Sequence, residues 1–208
     1  MIADIYKIDT GTGTVADVFA ETVFDDFAPD WSPDGTQFVF ASNRPNKDDP
    51  ITDLYLADPD GENLVQLTDN NDLGWVDTFP AWSPNGEKIA FFRYNYILGE
   101  EFEGGPQGLW WYDVSSAEAS LLYEMPVATE DLPPVWSPDG QYLAFLEPLD
   151  GAHVLRVMDL KSGELLGVGE VLGEKRTVTW SPDSRALAFT NLEEGRIRMY
   201  ILDLQSGE

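Results

Sequence analysis

A chain of 208 residues, 43 % hydrophobic and 12 % aromatic, is long enough to bury a core as one domain, and its 14 prolines and 18 glycines point to a turn-rich fold. Thirty-eight acidic against 12 basic residues leave a net charge of −26, which excludes nucleic acid and disfavours anionic membranes, since both are held through positive charge. The absence of cysteine excludes disulfides and thiolate metal sites, and no apolar run reaches the ~18 residues that argue for membrane insertion.

The first elements expected are two strands, Ile5–Asp9 and Val15–Phe19, around the turn Thr10-Gly11-Thr12-Gly13. Next comes Trp31-Ser32-Pro33-Asp34-Gly35. It returns as Trp82-Ser83-Pro84-Asn85-Gly86, Trp136-Ser137-Pro138-Asp139-Gly140 and Trp180-Ser181-Pro182-Asp183-Ser184. The tryptophans lie 51, 54 and 44 residues apart, a period that marks a repeat architecture. Within each copy Ser can bond its own backbone, Pro presets φ, and Gly accepts the exit conformation, so the segment reads as a type I turn. Ser184 replaces that Gly in the last copy, which predicts a strained or altered turn. Each turn feeds an apolar strand: Phe38-Val39-Phe40, Ile89-Ala90-Phe91, Leu143-Ala144-Phe145 and Leu187-Ala188-Phe189. The four Trp residues are expected to pack in the core.

A second signature runs in phase with the first. Ile5–Asp9, Leu54–Asp58, Leu109–Asp113, Leu155–Asp159 and Tyr200–Asp203 are five strands ending in Asp, and an outer strand such as Leu64–Leu67 follows. Four antiparallel strands per period make the blade of a β-propeller. The fold class is therefore all-β, with about four blades in a single domain over 1–208. Residues 1–19 form a partial blade, 30–68, 79–123 and 134–168 full blades, and 177–203 another partial one. Such a set is expected to close as a small ring, to be an open arc of a larger propeller (the preferred reading), or to form a homodimer through the cut blade edges.

The Trp-Ser-Pro-Asp-Gly turn, the following Ala-Phe strand and the Leu67-Thr68 ending resemble the TolB-type propeller repeat, from Ile5 to Asp203. That resemblance implies a non-catalytic binding scaffold of the periplasm or cell exterior, although the N-terminus reads as lacking a basic-plus-apolar leader. Related repeats occur in tricorn-like and prolyl-oligopeptidase-like enzymes, so a substrate-gating accessory propeller is the alternative, and a carbohydrate-binding module a third.

No catalytic residues are assigned. The single histidine, His153, sits at a strand start, and no Gly-x-Ser-x-Gly elbow presents a nucleophile. In a meander the longer links share one face, where recognition is expected. The links at 69–77 and 93–107 supply the candidate binding set Trp75, Asp77, Arg93, Tyr94, Tyr96 and Phe102, an acidic and aromatic mixture suited to a cationic protein or peptide. Asp69, Asn71 and Asp72 form a candidate Ca²⁺ cluster, without the EF-hand spacing; no other cofactor is expected.

Overall fold

The computed structural model describes residues 3–19, 23–44, 51–69, 74–95, 106–125, 132–149, 152–171 and 177–204. Among them are 17 strands in five antiparallel sheets and no helix. The first sheet pairs β1 (Tyr6–Ile8) with β2 (Val15–Asp17). The second runs β3 (Asp26–Trp31), β4 (Phe38–Ser42), β5 (Asp53–Ala57), β6 (Val65–Gln66). The third runs β7 (Trp75–Trp82), β8 (Lys88–Asn95), β9 (Gly108–Asp113), β10 (Glu118–Glu124). The fourth holds β11 (Val135–Trp136), β12 (Tyr142–Leu149), β13 (Ala152–Asp159) and β14 (Leu165–Val171). The fifth has β15 (Val178–Trp180), β16 (Ala186–Glu193) and β17 (Arg196–Asp203). Consecutive strands pair throughout, as in propeller blades.

The repeated motif works as a closed hydrogen-bonding unit. In the first copy Gly35 N–H donates to the Ser32 carbonyl at 2.8 Å, closing the turn, while the Ser32 hydroxyl donates to Asp34 Oδ1 at 2.7 Å and accepts from Gln37 N–H. The same bonds recur from Ser83, Ser137 and Ser181. The Gly in each turn is left-handed, with φ of 70°, 73° and 71°. Ser184 adopts the same conformation at φ 61°, so the expected strain is present while the turn shape is kept. Its buried hydroxyl accepts from Asp139 N–H at 3.0 Å and ties the last turn to the one before it.

Strand alternation gives each sheet two faces, and one apolar layer fills each junction between neighbouring sheets. Leu54 and Leu56 meet Ile89, Phe91 and Tyr112; Phe92 and Leu109 meet Leu143, Phe145 and Met158; Leu155 and Val157 meet Trp180 and Leu187. The first sheet covers Phe38, Phe40 and Tyr55 with Ile5, Val18 and Phe19. Tyr6 and Ile8 on the first sheet and Met199 and Ile201 on the last are exposed, so among the described residues these two sheets do not cover one another and the five sheets form an open arc.

One Trp departs from the expected packing. Trp31 is 53 % exposed, because among the described residues the sheet in front of it has two strands and no counterparts of β3 and β4.

Candidate functional site

At the strand ends opposite the short turns, ion pairs occupy the sheets. Asp26 in β3 pairs with Arg44, whose guanidinium lies 4.5 Å from the Phe19 ring centre. In the third sheet Arg93 Nε donates to Asp77 Oδ1 at 2.7 Å and a terminal nitrogen to Oδ2 at 2.6 Å, while the guanidinium stacks 4.6 Å from the Trp110 ring. Arg156 Nε donates to Glu147 Oε2 at 2.7 Å in the fourth, and Tyr123 reaches Glu147 from the third sheet. Burial raises the Asp26 carboxyl pKa, against the hydrogen bond from Arg44.

These contacts revise the binding set. Trp75 was expected in a loop; it opens β7 opposite Asn95 and is 4 % exposed, since pairing carries the strand beyond the expected boundary and buries the indole. Asp77 is fully buried, and Arg93 is spent on it, so neither is presented to a ligand. Tyr94 is half-buried in β8, opposite Val76. Tyr96 and Phe102 lie outside the described residues, as do Asn71 and Asp72; Asp69 is exposed. Among the described residues no three acidic or imidazole side chains converge as a metal site would require. His153 is half-buried in β13, across from Pro148.

The concave feature that the structure does assemble lies along the first strands, which touch from sheet to sheet: β3 with β7, β7 with β11, β11 with β15. A groove of about 500 Å³ opens there, walled by Pro29, Phe79, Pro80, Trp82, Pro133 and Trp136, and among the described residues Asp30 is the one charged group lining it. Two β-bulges shape it: between Phe27 and Asp30, and between Thr78 and Ala81, register shifts place Ala28 and Phe79 at φ 52° and 51°. The indole N–H groups of Trp136 and Trp180 tie the sheets together, donating to the carbonyls of Ala81 and Val135 at 3.0 Å. At Trp82 the link differs: Asp30 Oδ2 accepts its backbone N–H at 2.6 Å, and Trp82 Nε1 is buried without a hydrogen-bond partner among the described residues. The sequence signal for this groove was the Pro two residues before Trp31, Trp82 and Trp136; what it missed was that three such segments converge.

Burial raises the Asp30 pKa, opposed by N–H donors from Trp82 and Trp31. A raised carboxyl favours folding in its neutral form, an advantage complete below the unfolded carboxylate pKa and lost as pH rises through the folded one. Asp30→Asn keeps an acceptor oxygen and removes the charge. Its Tm at pH 7 should exceed that of the parent, with the difference closing in acid; scanning fluorimetry reads both. A lower Tm at pH 7 would mean that the charged bond to Trp82 outweighs desolvation.

A second cleft, about 400 Å³, lies between the short turns of the third and fourth sheets. Lys88 Nζ sits there 4.0 Å from the Trp111 ring centre and 3.1 Å from Asp113 Oδ2. Hydrogen bonds from the Ser115 hydroxyl and Ser116 N–H hold Asp113 well below the usual carboxylate range.

Compared with known proteins, the chain has the TolB-like propeller fold. It is 28 % identical over 116 residues to the Tol-Pal system protein TolB of Alcanivorax borkumensis, an overlap of 56 % of this chain and 24 % of that protein. The crystal structure of TolB from Acinetobacter baumannii superposes with a TM-score of 0.69 at 18 % identity, over 97 % of this chain and 46 % of that one. Oligogalacturonate lyase from Vibrio parahaemolyticus also gives 0.69 at 18 % identity, over 99 % and 56 %. The chain thus spans only part of these proteins, about a quarter of the Alcanivorax borkumensis TolB and about half of the two solved chains. No protein-family profile matches the chain.

Proposed function

We infer that this chain, a TolB-like propeller by fold, is a non-catalytic scaffold that binds a protein or peptide. The observation that carries the reading is the groove along the first strands: apolar, about 500 Å³, and walled by proline and tryptophan. Proline contributes no N–H, so recognition there rests on side-chain packing rather than on strand addition. Asp30 in the groove and the net charge of −26 favour an apolar segment carrying Lys or Arg. Fold alone is neutral on activity, since the neighbours of this architecture include a lyase as well as TolB.

The test is a synthetic peptide array of apolar segments with and without Lys or Arg, followed by titration of the best binder against tryptophan fluorescence. Pro29→Arg and Pro133→Arg place charge on exposed groove walls without disturbing the core, and each should weaken binding roughly tenfold or more. Unchanged affinity in both variants would move the binding site elsewhere on the molecule.

A further inference from the structure

Each internal junction is made from two unlike faces. A sheet turns the residues four and two before the Asp at the end of its third strand toward the sheet after it: Leu54 and Leu56 before Asp58, Leu155 and Val157 before Asp159. The following sheet answers with its motif Trp and the start of its second strand, as Trp180 and Leu187 do. Tyr55 and Ala57, three and one before Asp58, belong to this second kind of face.

The arc leaves one face of each kind uncovered. At the C-terminal end Met199 and Ile201 hold the positions of Leu155 and Val157, yet they are 74 % and 69 % exposed where their counterparts are at 0 %. At the N-terminal end Tyr6 and Ile8 hold the positions of Tyr55 and Ala57 and are 57 % and 62 % exposed, against 4 % and 0 %. Trp31 stands beside them, 53 % exposed against 9 % for Trp180. A cavity of about 300 Å³ lies at this end, lined by Ile5, Ile8, Val18, Trp31 and Phe38, where the described residues of the first sheet hold no counterpart of β3 and β4.

We propose that the chain self-associates head to tail, the Met199–Ile201 face of one copy seated on the Tyr6, Ile8 and Trp31 face of a second. A second copy fits because its Tyr6 and Ile8 stand at the repeat positions of Tyr55 and Ala57, which belong to the receiving kind of face in this fold's own junctions. On the C-terminal face the register lines up Ala188, Thr190, Leu192, Ile197, Met199 and Ile201 without a charge, and Asp203 lies at its edge where β17 ends. Met199 projects from it as an unbranched apolar side chain of the kind that fills a cavity like that beside Trp31. Such a contact is heterologous, so it closes a ring or continues as a chain of copies, and salt strengthens it by screening the like charges of the two copies.

Light scattering across a concentration series, in added salt, should show association of the 208-residue chain. Met199→Asp and Ile8→Asp lie on exposed positions, so circular dichroism should be unchanged, and each should weaken association at least roughly tenfold. Mixing the two variants should restore a one-to-one complex, because each supplies the face that the other has lost. A monomer at all concentrations overturns the proposal. So does an Ile8→Asp variant that associates normally, the signature of two β17 edges pairing symmetrically, and so does a mixture that stays monomeric.

Discussion

Asp77→Ala should destabilise the protein by about 3–5 kcal/mol, the cost of leaving a buried charge without its partner. Asp77 has 0 % and Arg93 14 % of its side chain exposed, so the guanidinium left behind has little water to turn to. Two parallel hydrogen bonds are lost at once, and the Trp110 ring contact does not replace them. Removing both partners together, as Asp77→Leu with Arg93→Met, should recover much of the loss, because no buried charge then remains. Urea denaturation of the three variants gives the answer. A loss below about 1 kcal/mol for the single variant would show that water reaches Arg93 and that the pair behaves as a surface bridge.

Gly108→Ala is expected to cost about 3 kcal/mol or more, through strain and overlap together. Gly108 has φ 145°, and a β-carbon there would lie 2.2 Å from the Tyr123 carbonyl oxygen and 2.8 Å from Met125 N. Both are backbone atoms, the first in paired β10 and the second beside a fully buried side chain, so neither yields as the tip of a flexible side chain would. Gly35→Ala is the matched control. It has φ 70° with nothing within 4 Å of the added carbon, leaving only the conformational cost of about 1–2 kcal/mol. Equal losses at the two positions would show that β10 shifts to accommodate the methyl group. The ratio of the two therefore measures how rigidly β9 and β10 are held.

What the sequence determined by itself is the local chemistry and, through its repetition, the architecture. The Ser-Pro-Asp-Gly turn closes with bonds spanning five residues or fewer, as from Ser32 to Gln37, so its outcome depends on no distant partner. Strands on either side of it follow from alternation, and four copies of one hairpin leave a propeller as the arrangement that buries both faces of each sheet. The tertiary structure decided which copies of a repeated residue are buried and which are free. Trp31 and Trp180 open motifs that share Trp-Ser-Pro-Asp, yet one faces a two-stranded sheet and the other a four-stranded one. Trp75 and Arg93 looked like ligands in waiting because acid, base and aromatic groups were close in sequence. Strand pairing between β7 and β8 extended past the expected loop boundary and brought Arg93 opposite Asp77, where a buried charge finds its lowest energy in a partner rather than in solvent. The groove at Asp30 has the same origin. Its walls come from three segments about fifty residues apart, and only the convergence of β3, β7 and β11 puts them side by side.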